Sequence, residues 1–218
     1  PIFTTTFVDP DSPEEFSKAV QPNTRAFFAE SLGNPKLDVL DLKVISEKAQ
    51  AAKVPFIVDN TVASPALLNP IEYGANIVIH SLTKYLTGNG TSLGGIIIDA
   101  GTFNWANGLF PEFTEPNPSY HGLNYHEALG AIAFIAKVRI AGLRDLGSAP
   151  SPFNSFQTIQ GIETLDIRMK KHSENALKLS AWLSTREEVA WVNYPGLKTS
   201  KYNDLAQKYL PKGQSGII

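Results

Sequence analysis

The sequence predicts an α/β fold built on a largely parallel sheet. Short, continuously apolar runs recur through the first hundred residues: Phe56-Ile57-Val58-Asp59, Asn76-Ile77-Val78-Ile79-His80 and Gly95-Ile96-Ile97-Ile98-Asp99. Segments with helical periodicity separate them. Runs that do not alternate apolar with polar residues belong to strands covered on both faces, and helical crossovers usually join such strands. A third observation sets the kind of chain. With 43% hydrophobic and 18% charged residues over 218 positions, it is an ordinary globular polypeptide with room for one sizeable domain or two small ones.

Taken in order, residues 2–8 are rich in β-branched and aromatic side chains and read as a strand-like opening. Asp9-Pro10-Asp11-Ser12-Pro13 then supplies turn and N-cap chemistry for a short helix over residues 14–20. The next apolar run, residues 25–30, lies between Pro22-Asn23 and Gly33-Asn34-Pro35. Leu37, Leu40, Ile45 and Ala49 recur at helical spacing up to Lys53, ahead of Pro55. The strand at 56–59, a helical connector over 70–74, and the strands at 76–80 and 95–99 follow. Within residues 102–120, Trp105, Phe110 and Phe113 stand among Pro111, Pro116 and Pro118, the pattern of an irregular loop with aromatic anchors. Residues 125–143 and 152–182 are helical by periodicity, and Gly161 predicts a bend in the second. The apolar stretch 128–138 reads as one side of a buried helix. Residues 189–192 read as a short strand, and residues 216–218 as the start of another. The expected organisation is a large domain over 1–150, a long connecting helix over 151–185 and the start of a smaller domain over 186–218. Both ends read as internal to a longer polypeptide.

Composition excludes several function classes. Nineteen basic and 21 acidic residues give a formal charge of −2 without a basic stripe, which argues against a nucleic-acid partner. The chain has no cysteine, so a disulfide scaffold, a zinc ribbon and a thiol nucleophile are all excluded. That fits a reducing compartment, and a cytoplasmic location is the expectation. No run approaches the roughly 20 apolar residues of a membrane span, and no signal peptide opens the chain.

Ligands of open parallel sheets bind beyond the carboxyl ends of the strands. Residues 30–34, 59–61 and 80–84 therefore belong on one rim. A lone aspartate at a strand end is most often an N-cap or a surface residue, yet Asp59 emerges from a buried run, where an unpaired carboxylate is costly. A protonated pyridine nitrogen would satisfy it and be kept cationic by it. A lysine after a strand is usually a solvated surface residue. Lys84, however, follows Ser81 and Thr83, whose hydroxyls can hold a phosphate while the amine attacks a nearby aldehyde. The spacing from Asp59 to Lys84 is enough for one strand–helix–strand crossover. The run Gly88-Asn89-Gly90-Thr91-Ser92-Leu93-Gly94-Gly95 fails both nucleotide templates: Leu93 stands where the dinucleotide fingerprint needs glycine, and no Gly-Lys-Ser/Thr ends it. Of His80, His121, His126 and His172, only the His121–His126 pair approaches metal-ligand spacing, and weakly; no metal site is expected. Neither a nucleophile elbow nor an HExxH helix is present.

Four stretches together resemble the pyridoxal-phosphate (PLP) enzymes of cysteine and methionine metabolism: ESLGNPKLDVLDL (30–42), FIVDNTVASP (56–65), GANIVIHSLTKYLTGNGTSLGG (74–95) and SPFNSFQTIQGIETLDIRMKKHSENA (151–176). Within that family, the loop over 101–123 and the Gln160-Gly161 step are most similar to O-acetylhomoserine sulfhydrylases. The resemblance implies PLP fold type I, the aspartate aminotransferase-like fold, incomplete at both ends, with residues 1–150 as a partial PLP-binding domain. It also implies that Lys84 carries the cofactor as a Schiff base and later shuttles protons, and that Asp59 pairs with the ring nitrogen. Ser81 and Thr83 would donate to the phosphate, Thr61 would pack on a ring face, and Asn34 would sit near the 3′-oxygen. Glu30 matches a family position without an assignable role. The implied reaction is γ-replacement, in which O-acetylhomoserine and sulfide (or a thiol) become homocysteine and acetate. The implied assembly is a homo-oligomer, at least a dimer. The family's phosphate loop, its ring-stacking tyrosine, a tyrosine–arginine pair and the arginine that binds the substrate carboxylate fall outside these residues, so this chain by itself is expected to be inactive. Methionine γ-lyase and cystathionine γ-synthase or lyase remain alternatives within the family, and a non-catalytic scaffold remains one outside it.

Overall fold

The structure, a computed structural model, describes residues 3–218. Its first half runs α1 (Pro13–Lys18), β1 (Phe27–Glu30), α2 (Leu42–Ala51), β2 (Phe56–Asp59), α3 (Ser64–Leu67), β3 (Ile77–Ser81) and β4 (Gly95–Asp99). The strands form one sheet in the order β1-β2-β3-β4. The first three pair in parallel, as the crossovers through α2 and α3 require, and β4 is antiparallel to β3. The reversal at β4 follows from its connection. Residues 82–94 form a turn and a glycine-rich loop and lack the crossover helix that a parallel return needs. The fold class is therefore α/β with a mostly parallel sheet.

Alternation along β2 and β3 gives the centre of the sheet two covered faces. The edge strands are less covered than their apolar sequence predicts, with Phe28, Ile96 and Ile97 exposed. Phe27, Phe56, Val58 and Val78 point into the main core, against Leu42, Ile45 and Ala49 of α2. Phe56 and Ile45 are fully buried; burying a side chain of this size stabilises the fold by about 1.5–3 kcal/mol. Ile57, Ile77 and Ile79 point to the opposite face, against Trp105, Phe110 and Phe113. This aromatic layer comes from the segment read as an anchored loop, which contains one short α-helix, α4 (Pro111–Thr114), and a 3-10 turn, Pro118–Tyr120.

The second half runs α5 (Tyr125–Leu129), α6 (Ala133–Lys137), α7 (Arg144–Leu146), α8 (Pro152–Glu163), α9 (Leu165–Leu183) and α10 (Asn203–Tyr209). Leu165, Met169 and Ala176 of α9 close the main core, and Tyr194, Tyr202, Tyr209 and Leu210 join the same cluster. No helix among the described residues is long and apolar enough to cross a membrane.

Several local expectations are corrected. Residues 3–8 form no strand, and Phe3 and Phe7 are 83% and 92% exposed; position 2 lies outside the described residues. The helix expected from Leu37 starts at Leu42, because Leu37 adopts a left-handed φ of 57° and Asp41 caps α2 by accepting the Val44 N–H at 3.4 Å. Leu37 and Leu40 are buried as loop residues. The single helix expected over 125–143 breaks at Gly130, where φ is 52°, and then widens into a π-helical turn, Val138–Leu143. Within 128–138 only Ala133 is buried, so this stretch is not one side of a buried helix. The bend expected at Gly161 is instead a break at Thr164, between α8 and α9. Residues 189–192 and 216–218 form no strand.

Candidate functional site

Register brings the candidate residues to one rim. Glu30 lies opposite Asp59, and Asp59 opposite Ile79, at the carboxyl ends of three parallel strands. Ser81, two residues beyond Ile79, points to the same face as Asp59. Side-chain hydrogen bonds then tie the strand ends together. The Thr61 hydroxyl accepts the Ser81 N–H at 2.8 Å, and Asp59 Oδ1 accepts the Thr61 N–H at 2.9 Å. Asp59 Oδ2 has no hydrogen-bond partner among the described residues. Asn34 sits in the exposed loop after β1, where its N–H donates to Glu30 Oε2 at 2.8 Å. Glu30, for which the sequence suggested no role, thus anchors the Asn34 loop.

Asn60, between Asp59 and Thr61, is a site-building residue that sequence reasoning missed. It is fully buried: its Oδ1 accepts from Ser31 Oγ at 2.7 Å, its Nδ2 donates to the Leu68 carbonyl at 2.9 Å, and its N–H donates to the Ile79 carbonyl at 2.9 Å. One side chain and its backbone therefore join the ends of β1, β2, β3 and α3. The only sequence signal is a buried-strand aspartate followed by a residue with both donors and acceptors.

Lys84 lies in a π-helical turn, Leu82–Leu86, that follows β3 directly. Its φ and ψ of −92° and −125° depart from helical values and turn the exposed side chain out of the local winding. The Lys84 amine has no hydrogen bond or ion pair among the described residues. Ser81 Oγ likewise has no hydrogen-bond partner among the described residues. The Thr83 hydroxyl is engaged, accepting the Gly94 N–H at 3.2 Å and donating to the Gly94 carbonyl at 3.4 Å. His80 points to the main-core side. Burial pushes its pKa below 6.5, against the opposing pull of the Asp59 carboxylate, so the imidazole stays neutral beside that charge. A cavity of about 360 Å³ lies at the far end of the sheet, lined by Pro55, Ile77, Trp105, Phe134 and Lys137, well away from this rim.

A turn-borne lysine without a partner and an aspartate with a free oxygen, on neighbouring parallel strand ends, are the constellation that the sequence stretches suggested. The family model for Cys/Met metabolism PLP-dependent enzymes matches residues 2–218. The chain belongs to that family. Among curated relatives, the O-acetyl-L-homoserine sulfhydrylase of Leptospira meyeri is 55% identical over 97% of this chain and 50% of its own length. That of Corynebacterium glutamicum is 48% identical over 92% of this chain and 47% of its own length. The homocysteine/cysteine synthase of Saccharomyces cerevisiae is 46% identical over 97% of this chain and 48% of its own length. The chain thus spans about half the length of the curated relatives it matches. A crystal structure of a putative O-acetylhomoserine (thiol)-lyase from Campylobacter jejuni superposes with a TM-score of 0.92 at 40% identity, over 95% of this chain and 52% of that one. That protein carries N′-pyridoxyl-lysine-5′-monophosphate. The cofactor of this family is pyridoxal phosphate, which carries an aldehyde, a basic ring nitrogen and a phosphate.

Proposed function

We propose that the protein containing this chain is a PLP-dependent enzyme of γ-replacement, converting O-acetylhomoserine and sulfide to homocysteine and acetate. The observation that carries this reading is 55% identity to an O-acetyl-L-homoserine sulfhydrylase over nearly the whole chain, the rim included. The donor set fits the cofactor. Asp59 Oδ2 is the acceptor that a protonated ring nitrogen needs, and a carboxylate held there keeps the nitrogen cationic. The Lys84 amine is the group that would hold the aldehyde carbon. Ser81 Oγ is free to donate to a phosphate oxygen, and Thr83 can join it by exchanging its long 3.4 Å bond to the Gly94 carbonyl. Thr61, tied to both Asp59 and Ser81, would pack on a ring face, and Asn34, which borders the rim from the β1 side, would sit near the 3′-oxygen.

Bound PLP supplies the electron sink for chemistry at the substrate α carbon. Lys84 is the base that takes the α proton and moves protons at the β carbon; acetate then leaves the γ carbon and hydrosulfide adds there. Residues 1–150 form the cofactor-facing part, residues 151–185 the connecting helical segment and residues 186–218 the start of a smaller domain. The working protein is a cytoplasmic homo-oligomer.

The test is product analysis on the purified full-length polypeptide. Homocysteine formed from O-acetylhomoserine plus sulfide supports the reading. Methanethiol released from methionine alone, with no homocysteine synthesis, overturns it in favour of a lyase. Turnover by the 218-residue piece alone would refute the inactivity expected of it.

A further inference from the structure

The Lys84 turn is held from outside as well as by its own bonds. Internally, the Thr87 N–H donates to the Leu82 carbonyl at 3.0 Å, and the Gly88 N–H to that of Lys84 at 2.8 Å. The carbonyl of Tyr85, the next residue after the lysine, instead accepts from Arg168 Nη1 at 2.8 Å. The same guanidinium donates through Nη2 to the Gly161 carbonyl at 2.6 Å and through Nε to the Thr164 hydroxyl at 3.1 Å. One planar group therefore fixes the lysine turn relative to the end of α8 and the start of α9 at once. An ammonium group, a flexible point charge, lacks the fork that does this.

Two glycines permit the close approach. A β-carbon at Gly88 would fall 2.6 Å from the Arg168 Cζ, and one at Gly161 would fall 2.5 Å from the Leu86 carbonyl oxygen. The Thr87 and Thr158 hydroxyls, 3.0 Å apart, add a further link between the turn and α8. Arg168 has no carboxylate partner among the described residues, and burial lowers its pKa. Its charge is directed at backbone carbonyls on both sides of the break between the helices.

We infer that Arg168 is a positioning residue for Lys84, locking the turn so that the amine stays in line with the cofactor aldehyde. This rests on the reading of Lys84 as the cofactor lysine.

The test compares Lys84→Ala, Arg168→Met, Arg168→Lys and Thr164→Val in the full-length enzyme. Displacing a reacting group by about 1 Å can cost on the order of 100-fold. The Arg168→Met variant is accordingly expected to lose kcat by about 10- to 100-fold per bound cofactor, with KM nearly unchanged. In the cofactor-free protein it should also speed amide exchange at Thr87 and Gly88 by about tenfold. The visible band of the bound cofactor should shift its pH midpoint, and Arg168→Lys should recover little of the loss. Wild-type kcat per cofactor together with wild-type exchange at Thr87 and Gly88 would overturn the inference. Should Arg168→Met not fold, Thr164→Val decides, because it leaves the guanidinium in place and removes the Nε acceptor together with only one other bond, from the Thr164 hydroxyl to the Gly161 carbonyl at 3.3 Å. A several-fold lower kcat at constant KM supports the lock, and an unchanged kcat defeats it. If Lys84→Ala keeps the visible band, the cofactor reading itself fails, and the role of Arg168 falls with it; loss of the band leaves the Arg168 results to stand by themselves.

Discussion

The two ends of one sheet face are held by opposite means. Where the parallel strands begin, aromatic rings interlock. Trp105 stacks on Phe134 with ring centroids 5.0 Å apart and meets Phe110 edge-on at 5.2 Å, over Ile57 and Ile77. Where the strands finish, polar groups dominate: Asp59, Thr61 and Ser81 form a chain of hydrogen bonds, Asn60 ties Ser31, Leu68 and Ile79 together, and the Lys84 turn hangs from Arg168. Apolar burial is non-directional and supplies most of the stabilising free energy. A hydrogen bond contributes only about 0.5–1.5 kcal/mol net but fixes direction. The aromatic end holds the sheet together; the polar end aims side chains.

The strongest way to break that division is Lys84→Ala. In the full-length enzyme, turnover should fall by more than about 1,000-fold, because both cofactor attachment and proton transfer depend on the amine. The unfolding midpoint without cofactor should stay within a few degrees of wild type, since Lys84 is exposed and has no partner among the described residues. A midpoint lowered by much more than a few degrees on calorimetry would show that the rim also carries stability. At the other end, Trp105→Ala should destabilise the protein by about 3–5 kcal/mol in urea titrations. Cofactor bound per folded molecule should not change. A variant that folds normally but fails to take up PLP would show that the aromatic layer shapes the rim from a distance.

Much of this division was legible in the sequence. The runs FIVD and NIVIH had to be buried strands, and the residues that end them had to share a rim, because parallel strands finish at the same edge. Trp105, Phe110 and Phe113 announced anchors by their chemistry, although nothing local indicated which sheet face they cover. Strand-like residues at 3–8 and 189–192 misled, because β-branched content reports compatibility with a sheet and not the existence of a neighbour to pair with. Leu37 and Leu40 fell on a helical spacing by coincidence: a buried loop also places apolar residues at such intervals, and only the left-handed φ at Leu37 distinguishes it. Asn60 and Arg168 were invisible for another reason. Their partners, Leu68 and Ile79 for one and Tyr85 for the other, are matched only after folding.

Asn60→Leu sharpens the comparison from the polar side. It leaves Ser31 Oγ and the Leu68 carbonyl unpaired in the interior, so a loss of about 1–3 kcal/mol is expected. This is smaller than the Trp105 effect, but PLP affinity should weaken along with it, because the ends of β1, β2 and β3 lose their common tie. Equilibrium unfolding and cofactor titration on the same samples separate the two quantities. Weaker folding with unchanged PLP affinity would mean that the rim does not need Asn60 for its geometry.

The smallest expected effect concerns His80, which shares its strand with the rim but points into the main core. It is 4% exposed, its Nδ1 has no hydrogen-bond partner among the described residues, and burial outweighs the Asp59 carboxylate in setting its pKa below 6.5. As pH falls below 6.5, the unfolded chain takes up a proton that the folded state refuses, so stability declines until the lower folded pKa is reached. Above 6.5 both states are neutral and the residue contributes no pH dependence. In cofactor-free protein, His80→Leu should therefore flatten the decline in urea midpoint on the acid side of neutrality. Asp59→Asn should steepen it, because the carboxylate that favours the imidazolium is gone. An identical acid slope in wild type and His80→Leu would show that His80 does not set the decline. A separate loss at more acid pH belongs to Asp41. Burial raises the pKa of that carboxylate, but hydrogen bonds from Tyr209, Lys208 and the Val44 N–H outweigh it and hold the group below its usual 3.8. Stability contributed there is present above pH 3.8 and lost as pH falls through the lower folded value, whereas the His80 decline sets in at 6.5, so the two differ in the pH at which they begin.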